Sequence, residues 1–126
     1  MSYQTTAEVA YEVEKCVRYA LHMKRLVVTQ EPDPENIGLF NTMRELYTGE
    51  GYTVTVFTLY STVQERARID GYIVTAQFFN HVLADMKKAG IVGTAKGGEV
   101  AFLTEAAFEQ DERERLQRVA ARKVKS

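Results

Sequence analysis

The chain has 126 residues, 45% of them hydrophobic and 26% charged, with a net charge of −1. These values fit one ordinary globular domain with a moderate core and exclude a uniformly basic protein that would attract phosphate over its whole surface. Apolar runs fall short of the roughly 20 residues a membrane-spanning helix needs, and the single cysteine, Cys16, excludes an internal disulfide. The polar opening Ser2–Glu8 lacks the basic start and apolar block of a signal peptide, so an intracellular, cytoplasmic protein is expected.

The first predicted element is a helix from Thr6 to Val27. Val9, Val13, Cys16, Ala20, Met23 and Val27 follow one another at alternating steps of four and three, a heptad line flanked by Ala10, Val17 and Leu21. Such a line serves either as a dimerisation seam (Val9, Val13, Cys16, Ala20, Met23) or as the face by which the helix packs on its own domain. The segment QEPDPEN at 30–36 contains both prolines of the chain and reads as a linker. A second helix is predicted from Asn36 to Tyr47, with Ile37, Phe40, Met43 and Leu46 or Tyr47 giving the repeat, and Gly49 and Gly51 ending it.

Tyr52–Val56 alternates and is β-branched, which predicts a short strand. The helix that follows runs from about Thr55 to Arg68, with Phe57, Tyr60 and Val63 or Gln64 on its inner side. Asp70-Gly71 is a turn. From Thr75, an N-cap, a helix extends to Ala89. Phe79, Val82, Leu83 and Met86 recur on one face, Ala89 continues their line, and Asp85 lies opposite. Lys87 and Lys88 suit its last turn and Gly90 its closing left-handed position.

A β-hairpin is expected next: Ile91–Ala95 outward, a tip at Lys96-Gly97-Gly98, and Val100–Thr104 in return. Thr104 caps a final helix whose middle, Glu109–Arg115, is almost wholly charged; such a segment projects into solvent or lies on a surface. Its end is basic: Arg118, Arg122, Lys123, Lys125. The elements make a mainly α chain with a small β-hairpin, an α+β fold in one domain over 1–126.

From 36 to 104 this order of elements resembles the winged-helix superfamily. The nearer likeness is to the C-terminal winged-helix module of archaeal origin-recognition initiators. It is carried by TVTVFTLYSTVQERARIDGYIVTAQFFNHVLADMKKAGIVGTA, from Thr53 to Ala95, with Phe57 and Tyr60 in an aromatic-rich helix, the capping Thr75, and the ending Met86-Lys87-Lys88-Ala89-Gly90-Ile91-Val92. MarR-like repressors fit the second half nearly as well. The chain resembles the lone winged helices of small archaeal and archaeal-virus proteins: the initiators' ATPase domain is absent, and so are the arginines usual in their recognition helix. The resemblance implies a winged helix-turn-helix at 37–104, with helical extensions at 1–29 and 105–126 joined through the 30–36 linker.

It also implies double-stranded DNA as partner, with helix 75–89 in the major groove and the wing on the adjacent backbone or minor groove. With the apolar set turned inward, Ala76, Gln77, Asn80, His81 and Ala84 face out. Gln77 and Asn80 carry the paired donor and acceptor that adenine requires. His81 is a donor to phosphate or base, and Thr75 with its neighbouring N–H groups holds a phosphate. Lys87, Lys88, Lys96, Arg66 and Arg68 are the expected backbone contacts. Phe78 falls at the boundary and is expected under the wing. The plain alternative for each polar residue is a solvated helix surface.

The function expected is that of a small transcriptional regulator acting as a homodimer through the first helix, with a protein-interaction module that binds no DNA as the alternative. Catalysis is not expected. His22 and His81 are the two histidines, they lie in different elements, and Cys16 is not at metal-binding or dyad spacing from His22. The glycines at 97 and 98 precede a strand, unlike those of a nucleotide-binding loop. No metal or cofactor is expected.

Overall fold

The computed structural model describes residues 6–29, 37–38, 41 and 51–125. The 30–36 linker and most of the helix expected at 36–47 lie outside the described residues; positions 37, 38 and 41 are helical. The long elements are α1 (Thr6–Thr29), β1 (Val54–Thr55), α2 (Val56–Asp70), α3 (Ala76–Lys88), β2 (Val92–Ala95), β3 (Val100–Leu103) and α4 (Glu105–Lys125). The architecture is mostly helical with one small antiparallel sheet, an α+β fold.

α1 turns Val13, Val17, Ala20, Leu21, Met23 and Leu26 into the core against α2, α3 and β3. Its apolar face is too wide for a narrow two-helix seam and matches the broad stripe of a helix lying on its own domain. This is the second of the two readings of the heptad line, packing on its own domain. Val13, Ala20 and Met23 are buried within the chain, and Val9 and Cys16 pack half-buried beside them.

Both central helices begin at threonine caps. The Thr58 N–H donates to the Thr55 hydroxyl, and the Phe78 N–H to the Thr75 hydroxyl, each at 3.1 Å. α3 closes on Gly90 at φ 76°, with the Gly90 N–H bonded to the Lys87 carbonyl and the Ile91 N–H to that of Met86. This paired closure places its last positive-φ residue where a side chain would be strained, which explains the glycine. The inward set of α3 is Phe79, Val82, Leu83 and Met86, as the spacing predicts; Ala89, at the cap, is exposed and does not extend it.

In α2 the phase differs from the sequence reading. Leu59, Val63 and Ala67 are buried, Tyr60 is half-buried, and Phe57 is 79% exposed. β1 sets this phase. Val54 pairs with Ala101, Thr55 with Val100, and the Val56 N–H reaches the Glu99 carbonyl at 2.9 Å. With Val54 anchored in the core, Leu59 points in, and Phe57, about 200° away around the helix, points out.

The strand order is β1-β3-β2, so the expected hairpin is part of a three-stranded sheet. Its register pairs Val92 with Leu103 and Ala95 with Val100. The tip has Lys96, Gly97 and Gly98 all at positive φ. Gly93 lies under the Phe102 ring, where an added Cβ would come within 2.4 Å of a ring carbon. Thr104 joins three elements: its N–H donates to the Ile91 carbonyl, its hydroxyl to the Gly90 carbonyl at 2.7 Å, and its Oγ1 accepts the Ala107 N–H at the start of α4.

The charged middle of α4 lies on a surface, with Asp111, Glu112 and Arg115 turned toward α1 and Glu109, Gln110, Arg113 and Glu114 exposed. It lies antiparallel to α1 through a ladder of contacts: the ion pairs Arg25–Glu105 at 2.8 Å and Arg18–Asp111 at 2.6 Å, and a hydrogen bond between His22 Nε2 and Glu112 at 2.8 Å. Arg115 binds the same Glu112 and is itself buried.

Candidate nucleic-acid interface

α3 divides into two opposed edges. At about 100° per residue, Phe79, Val82, Leu83 and Met86 cluster on one side, while Gln77, Asn80, His81, Ala84 and Lys88 cluster on the other. Burial of the first set therefore forces the second outward, and all five outward side chains are exposed. Ala76 and Lys87 flank this edge on the Asn80 side; Asp85 flanks it on the His81 side. Phe78 is half-buried against the core.

The electrostatics of the edge are uneven. His81 Nε2 stands 3.7 Å from Asp85, an exposed pair one helical turn apart. Lys87 and Lys88 in the last turn and Lys96 at the hairpin tip are exposed and enter no ion pair among the described residues. Asp85 pairs instead with His81, and Glu99 forms no ion pair with Lys96 among the described residues. Arg66 and Arg68 differ: Arg66 pairs with Asp70 at 3.1 Å, and Arg68 binds Glu65. The Arg68 hydrogen bond holds the Glu65 carboxyl below the usual carboxylate range. Exposed pairs of this kind contribute little to stability and are screened by salt. The Thr75 hydroxyl already accepts the Phe78 N–H, so its capping role is occupied.

Gln77, Asn80, His81, Ala84, Lys87 and Lys88 thus lie on one continuous helix surface. Lys96 is carried on the hairpin tip beyond the four residues of β2, and Arg66 and Arg68 lie on α2, engaged with acids of their own helix. The dimerisation residues lie elsewhere, in and beside the core.

The α1–α4 ladder is a feature that sequence reasoning missed. Arg25 sits between two rings, 4.0 Å from the Phe108 centroid and 4.6 Å from that of Tyr52. A cleft of about 400 Å³ opens beside the ladder, lined in part by Tyr11, Arg18, Tyr19, His22, Asp111 and Arg115. The Arg18–Asp111 and His22–Glu112–Arg115 pairings along it bind α4 to α1. The legible signal was complementarity: Arg18, His22 and Arg25 step by four and three along α1, and the acids come first in α4. Burial pushes the Cys16 thiol up, and Cys16 lies apart from His22. Among the described residues no group of three metal-ligating side chains converges.

Fold and surface together define a small α+β protein that displays one exposed helix edge bearing Gln77, Asn80 and His81, with lysines nearby that enter no ion pair among the described residues. Its sequence matches no family model and no curated protein, and its fold matches no solved structure. No helix among the described residues is long and apolar enough to cross a membrane.

Proposed function

We propose that this chain is a winged-helix protein that binds double-stranded DNA and acts as a small transcriptional regulator. The observation that carries the reading is the outward edge of α3, with Gln77, Asn80 and His81 free of the core and Lys87, Lys88 and Lys96 unpaired around it. Three features support it further. The order β1, α2, α3, β2, β3 with the central strand last is that of a winged helix. The hairpin follows α3 at once, so its tip serves as the wing. Lys87 and Lys88 at the end of α3 and Lys96 at that tip suit backbone contact while the net charge stays near zero. In this reading α3 enters the major groove and Lys96 meets a neighbouring phosphate. The proposal includes no catalytic step and no cofactor. Two copies on one operator require a surface other than the heptad line of α1, and sedimentation of the full chain with and without DNA measures that.

A mobility-shift series on mixed-sequence duplex at rising salt tests DNA binding. Affinity that falls steeply and linearly on a log–log salt plot is the expected result; absence of a shift at low salt rejects the reading.

A second reading, a protein-interaction module, is favoured by one observation: Phe57, Ile69 and Ile73 present large apolar side chains to solvent, Ile73 at 88% exposure. Loss of partner capture on Phe57→Ser and Ile73→Ser, with DNA affinity absent throughout, would establish it.

A further inference from the structure

We infer that the outward edge of α3 selects A·T base pairs in the major groove and discriminates against G·C. The inference rests on the DNA-binding reading and adds the sequence class. Over Ala76–Met86 the exposed side chains include no lysine or arginine, the residues that most often read guanine through its O6 and N7. Instead the edge offers two primary amides, Gln77 and Asn80. Each carries an N–H donor and a carbonyl acceptor, the pair complementary to adenine N7 and N6. Ala84 on the edge and Ala76 flanking it are both exposed, and a methyl group is the complement of the thymine C5-methyl.

Spacing agrees with the chemistry. Gln77 and Asn80 are separated by about 4.5 Å along the helix axis and Gln77 and Ala84 by about 10.5 Å, a span of about three base pairs. His81 donates to N7 of either purine and carries no preference between them. The one carboxylate near the edge, Asp85, would favour cytosine, but it sits off the edge beside His81, and its charge opposes the approach of phosphates rather than inviting it. The cations lie at Lys87, Lys88 and Lys96, beyond the amides, where they contribute affinity without sequence preference.

The test uses the full chain and three duplexes of equal length and charge, differing only in a central block of A·T, G·C or inosine·cytosine pairs. Inosine·cytosine presents the major-groove edge of G·C and a minor groove like that of A·T, so it separates amide reading from groove width. Expected is at least ~10-fold tighter binding to the A·T block, with inosine·cytosine grouped with G·C, since one bidentate contact supplies about that factor. Gln77→Ala with Asn80→Ala should lower affinity for the A·T duplex by at least ~10-fold relative to that for the G·C duplex. Both positions are exposed, and an unchanged circular dichroism spectrum confirms that the variant folds. Equal affinity for A·T and G·C overturns the inference and leaves DNA binding standing. Grouping of inosine·cytosine with A·T overturns it as well, since the preference would then arise in the minor groove. Absence of binding to every duplex rejects the underlying DNA reading and the inference with it.

Discussion

Phe79 is buried against Tyr60, with ring centroids 5.3 Å apart, whereas Phe57 is 79% exposed on the neighbouring helix. The same side chain in these two settings should behave oppositely. Phe79→Ala removes a ring from a packed core and should cost about 3–5 kcal/mol. Phe57→Ala should stay within about 0.5 kcal/mol of the parent. Urea denaturation of the two variants measures the difference, and a large loss at Phe57 would mean that its ring is covered. Thr75 is similarly informative. Its hydroxyl accepts the Phe78 N–H, so Thr75→Ala should cost about 1 kcal/mol while Thr75→Asp retains the cap.

At the scale of elements, α4 depends on charge more than on apolar area. Its polar middle is held to α1 by the Arg18–Asp111 and His22–Glu112–Arg115 contacts, and Arg115 is buried at 8% exposure. A hydrogen bond from Arg115, and then one from His22, holds the Glu112 carboxyl below the usual carboxylate range against the opposing effect of burial. A depressed carboxyl contributes stability that is complete above its unfolded pKa and is lost as pH falls through the folded one. The attachment of α4 should therefore weaken below about pH 4, the ordinary carboxylate range. Glu112→Gln should cost about 1.5–3 kcal/mol at neutral pH, the range for hydrogen bonds to charged groups. The gap between parent and variant in urea midpoint should close as the solution is acidified. A gap constant with pH would mean that Glu112 is not the group responsible.

For the whole molecule the central result is that α1 belongs to the core. Val13→Asp should consequently abolish folding, seen as loss of the helical circular dichroism signal. A folded variant of halved mass would instead restore the helix as a dimer seam. The near-neutral net charge also has a molecular consequence for the proposed function: attraction for DNA would have to come from local cations. Lys87→Ala, Lys88→Ala and Lys96→Ala should each weaken binding uniformly across sequences and reduce the salt slope by about 1.

The order of the described elements, the threonine caps at Thr75 and Thr104, the inner face of α3 and the hairpin tip were legible in the sequence because each is set by local rules: side-chain spacing, a free N–H at a helix start, positive φ at a turn. The outward edge of α3 was legible for the same reason, as the geometric complement of an apolar face. Three things were decided by tertiary contacts. Pairing of β1 with β3 rotated α2 so that Leu59 rather than Phe57 faces inward. The sheet and the two central helices claimed the heptad line of α1, whose spacing suits a second copy equally well. The acidic residues of α4 found Arg18, His22 and Arg25 at separations of 80 to 93 positions along the chain. Spacing within one segment specifies which residues share a face; which surface that face meets depends on segments distant in sequence, whose contacts form only when the chain is folded.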